Sequence, residues 1–294
     1  MPNSLIDFRD WSPTDLEKLF DLSFHIEKEK SVSSSGNHLL RTAALLFFEP
    51  STRTRISFES ACHREQISAT VLSGKSGTSL EKGETLEDTV LNIAAMEPDV
   101  LIIRSGSELD LHQLRQKVSQ PILNGGWGTH SHPTQALLDI RTLLKRGQKI
   151  SDIRIVLVGD VKYSRVAHSH FELSRKLGYQ VAVCGPREFL PSQSDVTVLE
   201  DIKSAMEWGN VLMMLRFQLE RHQQTHRQND WEKYQINLQK LKAWQEKGWL
   251  MHPGPINYGI EMDRDVESYP KNLIFEQVNS GLWIRRACLR TVLK

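Results

Sequence analysis

Apolar residues in this 294-residue chain fall into short runs set between longer amphipathic stretches. Ala43-Ala-Leu-Leu-Phe-Phe48, Asp99-Val-Leu-Ile-Ile103, Ile153-Arg-Ile-Val-Leu-Val158, Gln180-Val-Ala-Val-Cys184 and Val211-Leu-Met-Met-Leu215 are too short for helices and nearly free of polar residues. Such runs predict strands buried on both faces. Ala69-Thr-Val-Leu72, Pro121-Ile-Leu123 and Gly248-Trp-Leu-Met251 add shorter ones. Between them the spacing turns helical. Ser12-Pro13-Thr14-Asp15 opens a helix carrying Leu16, Leu19, Phe20 and Leu22, and residues 84–96, 134–146 and 164–177 read the same way. Residues 31–36 and 73–79 are polar loops.

Alternating strands and helices predict parallel sheets covered by helices on both faces. The rhythm starts afresh after Pro133, which implies two doubly wound α/β domains, 1–133 and 134–277. Open parallel sheets bind ligands beyond the carboxyl ends of their strands. Ser51 to Thr54, Arg104, His132, Arg165, Arg216 and the run His252 to Pro255 all fall at such ends.

The segment Glu49-Pro-Ser-Thr-Arg-Thr-Arg55 follows the first buried run directly. Pro50 breaks the extended chain, and Ser51 or Thr52 can cap a helix that continues through Ile56 to Ala61. A helix N-terminus offers unpaired N–H groups and the positive end of a dipole. Hydroxyls and guanidinium groups crowd the same turn, and Arg grips phosphate oxygens in pairs. The segment predicts a phosphate site.

A net charge of +1 gives no global field suited to nucleic acid or an anionic membrane, so any anion is held by a local cluster. The three cysteines, Cys62, Cys184 and Cys288, lie far apart without a CxxC pair and read as reduced, buried thiols. The N-terminus lacks the pattern of a signal peptide, and apolar runs stay far below the roughly 20 residues that span a bilayer, so a cytoplasmic location is expected. His222 and His226 lie four apart, but their polar setting reads as a solvated loop, and no metal is assigned.

Taken together, these strings resemble the catalytic chains of the aspartate carbamoyltransferase family. The resemblance is carried by Phe47-Phe-Glu-Pro-Ser-Thr-Arg-Thr-Arg-Ile-Ser-Phe58, Lys82-Gly-Glu-Thr-Leu-Glu-Asp-Thr89, His132-Pro-Thr-Gln-Ala-Leu-Leu-Asp139, Gly159-Asp-Val-Lys-Tyr-Ser-Arg165, Arg216-Phe-Gln-Leu-Glu-Arg221 and His252-Pro-Gly-Pro-Ile-Asn257. It implies carbamoyl transfer from carbamoyl phosphate to L-aspartate with no cofactor, at a site in the cleft between the domains and at a subunit interface. Catalysis then rests on positioning and on stabilised charge.

By resemblance, Ser51, Thr52, Arg53 and Thr54 hold the phosphate. Thr54, Arg104 and His132 polarise the carbonyl oxygen, and Gln135 orients the carbamoyl amide. Arg165, Arg216 and Gln218 bind the acceptor's carboxylates, with Gly254 and Pro255 lining that site. Ser79 and Lys82 reach in from the neighbouring subunit of a homotrimer, Lys82 to bind the aspartate acceptor, and Glu49 pairs with Arg165. A C-terminal helix, 278–294, packs back on the first domain. Whether the trimer stands alone or joins regulatory chains or dihydroorotase is left open.

The chain departs from the family pattern at Asn124-Gly-Gly-Trp-Gly128, at Ser105 after Arg104, and at Tyr258 after Asn257. Ornithine carbamoyltransferase shares the phosphate motif, but its cationic acceptor demands an acidic site, and the arginines here suit an anion. A non-enzymatic nucleotide-binding module is disfavoured, because Gly159-Asp-Val-Lys-Tyr-Ser lacks the glycine spacing of a dinucleotide fingerprint.

Overall fold

The computed structural model describes residues 1–29, 41–191, 196–217, 231–244 and 247–294. The loop expected at 31–36, Gln218, and the His222/His226 pair lie outside them. The strands are β1 (Arg41–Phe47), β2 (Ile67–Ser73), β3 (Val100–Ser105), β4 (Ile122–Trp127), β5 (Arg154–Val158), β6 (Gln180–Cys184), β7 (Thr197–Leu199), β8 (Val211–Met214) and β9 (Trp249–Met251). The helices are α1 (Pro13–Lys28), α2 (Arg53–Arg64), α3 (Leu86–Ala94), α4 (Leu111–Lys117), α5 (Pro133–Lys145), α6 (Arg165–Leu177), α7 (Ile202–Trp208), α8 (Leu238–Lys242) and α9 (Ile274–Val292).

The chain divides into two compact units. Met1–Arg141 and Val278–Lys294 form the first, and Thr142–Gln277 the second. Each is built on its own parallel sheet, ordered β2-β1-β3-β4 in the first unit and β7-β6-β5-β8-β9 in the second. The α/β class and the two parallel sheets therefore stand as the apolar runs indicate.

Local chemistry explains the main elements. Ser12 caps α1 by accepting from the Asp15 N–H at 3.1 Å, while the Asp15 carboxylate accepts from the Ser12 N–H at 3.3 Å. This reciprocal capping box closes two donors that the first turn would otherwise leave open. β1 is buried from Ala43 through Phe47, as a central strand covered on both faces must be. β2 is the contrast: it is an edge strand buried only at Ile67 and exposed along most of its length. Apolar side chains from Leu46, Val90, Leu101, Ile103 and Leu114 build the core of the first unit. Val156, Cys184, Leu212, Met214 and the rings of Phe189, Phe217 and Trp231 do so in the second. Those three rings contact one another with centroids 5.3 to 5.9 Å apart.

The end of α9 is tied down inside the first unit by a shared carboxylate. Glu65 accepts from Arg286 Nε at 2.5 Å and from Arg290 Nε at 2.6 Å. The first residues of the chain also add to the sheet. Leu5 pairs in parallel with Leu123, donating to the Ile122 carbonyl at 2.8 Å and accepting from the Asn124 N–H at 2.9 Å. They cover the outer edge of β4. Cys62, Cys184 and Cys288 are buried free thiols, and burial pushes each up to about 12. Among the described residues no helix is long and apolar enough to cross a membrane.

Candidate active site

In each sheet, one pair of neighbouring strands marks the place where the chain reverses its winding. In the first unit β2 lies on one side of β1 and β3 on the other, so the reversal falls between the ends of β1 and β3. In the second it falls between β5 and β8. Helices leave in opposite directions there and open a crevice in which ligands of such sheets bind.

The predicted donor-side residues gather at the first of these points. Thr52 is the N-cap of α2, yet its side chain makes no cap hydrogen bond. The opening N–H groups of α2 are thus not closed by that hydroxyl, in contrast to α1 and α3. Ser51 is half-buried, Thr52 and Arg53 are exposed, and Thr54 is buried. Arg55 pairs along the helix with Glu59 at 3.4 Å. Arg104, in register with Phe47 at the end of β3, donates from Nη1 to the Gly125 carbonyl at 3.2 Å. Its Nε lies 3.8 Å from the Glu49 carboxylate, so Glu49 is engaged within its own unit.

His132 and Gln135 follow the end of the adjacent β4, and both are buried. The Gln135 N–H donates to the His132 carbonyl at 2.9 Å, and its side-chain amide donates to Asp139 at 2.9 Å. The turn that presents His132 is held by a residue that pattern reading passes over. Asn124 is fully buried; its Nδ2 donates to the Ile6 carbonyl at 2.7 Å and to Ser131 Oγ at 2.8 Å. Its Oδ1 accepts from the Gly126 N–H at 2.7 Å, and Ser131 Oγ donates onward to the Ile6 carbonyl at 3.0 Å. Trp127 is buried in the core of this unit, with its ring 5.7 Å from that of His112 and 4.4 Å from that of His130. Ser79 and Lys82 are exposed on a short 3-10 turn that follows β2.

Of the predicted acceptor-side residues, Arg165 and Arg216 follow the two strands of the second point. Arg165 is the first residue of α6, whose cap Ser164 accepts from the Ala167 N–H at 3.2 Å. Arg216 lies two residues past β8, and both arginines are half-buried. Gly159 makes the sharp exit from β5: at φ +120° its missing Cβ would lie 2.6 Å from the Leu215 carbonyl oxygen, so no side chain fits there. Gly254 and Pro255 form a turn just beyond β9, joined by a cis peptide bond. Tyr258 lies outside that turn, donating to Glu267 at 2.9 Å beneath the Arg264 guanidinium. Among the described residues no group of three or more His, Cys, Asp or Glu is placed to hold a metal ion.

Arginine side chains thus stand beside both reversal points, Arg53 and Arg104 in the first unit and Arg165 and Arg216 in the second. The chain belongs to the aspartate/ornithine carbamoyltransferase family: residues 3–145 match its carbamoyl-P binding domain and residues 151–292 its Asp/Orn binding domain. The aspartate carbamoyltransferase catalytic subunit of Solibacter usitatus is 36% identical over 302 residues, covering 100% of both chains. That of Gemmatimonas aurantiaca is 42% identical over 255 residues, covering 84% of this chain and 79% of its own. Aspartate transcarbamoylase from Trypanosoma cruzi, in complex with carbamoyl aspartate and phosphate, superposes with a TM-score of 0.85 at 28% identity, covering 99% of this chain and 96% of its own. Ornithine carbamoyltransferase from Thermus thermophilus superposes with a TM-score of 0.86 at 25% identity over 100% of both chains. The backbone is thus shared by enzymes of both acceptors.

Proposed function

We propose that this protein transfers the carbamoyl group of carbamoyl phosphate to the amino group of L-aspartate, giving N-carbamoyl-L-aspartate and phosphate. The observation that carries the reading is the division of cationic groups between the two reversal points. A dianionic leaving group suits the α2 N-terminus with Arg53 and Arg104. A dicarboxylate acceptor suits Arg165 and Arg216, whereas a cationic acceptor would be repelled by them. The aspartate-specific names of the sequence relatives support the same acceptor.

In this reading Ser51, Thr52, Arg53 and Thr54 hold the phosphoryl oxygens through hydroxyls, guanidinium and backbone N–H groups. The neutral amine of aspartate attacks the carbonyl carbon, and charge moves onto the carbonyl oxygen. Thr54, Arg104 and His132 stabilise that oxygen, each such donor being worth roughly 3 kcal/mol in comparable oxyanion sites. Gln135 commits its amide nitrogen to Asp139, so its oxygen is the atom that accepts from the carbamoyl NH2. The C–O bond to phosphate then breaks, and the proton lost by the amine leaves with the phosphate.

Arg165, Arg216 and Gln218 hold the acceptor, with Gly254 and Pro255 along its edge. Ser79 and Lys82 act on the neighbouring chain of a homotrimer. The exposed edge strand β2 and the exposed turn after it supply a surface suited to that exchange. The product belongs to cytoplasmic de novo pyrimidine biosynthesis. Purified protein supplied with carbamoyl phosphate is expected to release phosphate with L-aspartate and not with L-ornithine. Release with ornithine alone, or with neither, overturns the proposal.

A further inference from the structure

Glu261 is a charged residue with no solvent access, so bulk water does not solvate its carboxylate. Its carboxylate faces the turn after β9 instead. Oε1 accepts from the Asn257 N–H at 2.5 Å and lies 3.3 Å from His252 Nε2. At the other side of the same imidazole, Nδ1 accepts from the Gly254 N–H at 2.7 Å. A neutral imidazole carries one proton, so accepting at Nδ1 puts the proton on Nε2, where it is donated to Glu261. The His252 backbone is fixed in turn, its N–H donating to Gln277 Oε1 at 2.9 Å. Glu261 therefore clasps both ends of the 252–257 turn, and Gly254, at φ +71°, sits inside the clasp.

We infer that Glu261 is a positioning residue for the acceptor, holding the Gly254–Pro255 turn in the shape that meets L-aspartate. The inference rests on the proposed function for the identity of the acceptor. It accounts for a buried carboxylate that the chemical step does not use. A carboxylate only accepts hydrogen bonds, so it takes the Asn257 and His252 protons without offering a competing one. Its second oxygen, Oε2, is buried without a hydrogen-bond partner, a cost of desolvation that a purely structural site would shed by substitution.

The test separates acceptor from donor. Glu261→Ala is expected to raise the KM for L-aspartate on the order of tenfold while leaving that for carbamoyl phosphate within about twofold. Glu261→Gln keeps an accepting oxygen and is expected to recover most of the loss. Nitrogen NMR of the wild-type protein should show His252 as the Nε2–H tautomer. If Glu261→Ala fails to fold, His252→Asn and His252→Gln replace it: Asn retains an acceptor for Gly254 and should bind aspartate better than Gln. Unchanged aspartate KM in Glu261→Ala, equal losses for both substrates, an Nδ1–H tautomer, or the reverse order of the His252 variants overturns the inference. Wild-type protein that is silent toward aspartate overturns the proposed function as well.

Discussion

Removing Asn124 tests how the first unit presents His132. The side chain is fully buried and makes a closed set of hydrogen bonds to Ile6, Ser131 and Gly126. Asn124→Ala leaves the buried Gly126 N–H without its acceptor, while the Ile6 carbonyl keeps its bond from Ser131. One stranded donor and a small cavity amount to a loss of about 2–4 kcal/mol. Asn124→Asp is the sharper perturbation. It retains an oxygen for Gly126 but turns the other oxygen, a lone pair in place of two protons, against the Ile6 carbonyl at 2.7 Å. The near-isosteric Asp is therefore expected to be at least as damaging as Ala at pH 7. Protonated, it could donate to Ile6 again, so its folded-state pKa lies above the unfolded value near 3.9. Its penalty should then shrink as pH falls and grow by up to about 1.4 kcal/mol for each pH unit above 4. Urea unfolding at pH 5 and 7 measures the stabilities, and steady-state kinetics measure the effect on turnover through His132. Asp milder than Ala at pH 7, or both within about 0.5 kcal/mol of wild type, refutes the reasoning.

Three further outcomes follow from the geometry. If Ser79 and Lys82 serve a neighbouring chain, mixing Arg53→Ala with Lys82→Ala protein should restore activity that neither has alone; no recovery after verified subunit exchange counts against shared sites. Burial holds the thiols of Cys62, Cys184 and Cys288 protonated from their ordinary 9.0 up to about 12, so a thiol reagent at pH 8 should find none in the native protein and three in urea. The unfolded chain loses those protons first, so stability from this source is intact below pH 9 and falls between pH 9 and 12. Glu65→Ala strands Arg286, whose side chain is 4% exposed, and should cost about 3 kcal/mol, with Glu65→Gln costing less; equal melting temperatures for both variants and wild type would discard the Glu65 pairs with Arg286 and Arg290 as a stabilising element.

Much of this architecture is written in local pattern. The runs at 43–48, 99–103, 153–158, 180–184 and 211–215 became strands because a central parallel strand must be apolar on both faces. The Ser51 to Arg55 motif sits at the end of β1 because Pro50 stops the extended chain there. Other parts are not local. β4 runs on through Gly125 and Gly126 to Trp127, beyond the short apolar run at 121–123, and Gly126 takes φ +124° there, a conformation that favours glycine. α4 and α7 are seven residues each, too short for periodicity to declare them. β7 is three largely exposed residues paired to β6, with Leu199 packed against the core. Asn124 and Glu261 escape pattern reading for a different reason. Each is a single buried polar residue whose partners define it, and no spacing rule announces a hydrogen bond to a distant carbonyl. Their signal is a polar residue where the surrounding pattern calls for an apolar one.

The strand-like pairing of Leu5 with Leu123 has a consequence for how the chain is made. Ile6 meets Asn124 across a sequence separation of 118 residues. During synthesis the segment around Leu5 leaves the ribosome long before β4, which appears only after the other strands of its sheet have been translated. The open flank of the sheet is closed by a segment translated 118 residues ahead of the strand it joins. A change in the segment around Leu5 and Ile6 therefore acts on the turn before His132, through Asn124 and Ser131.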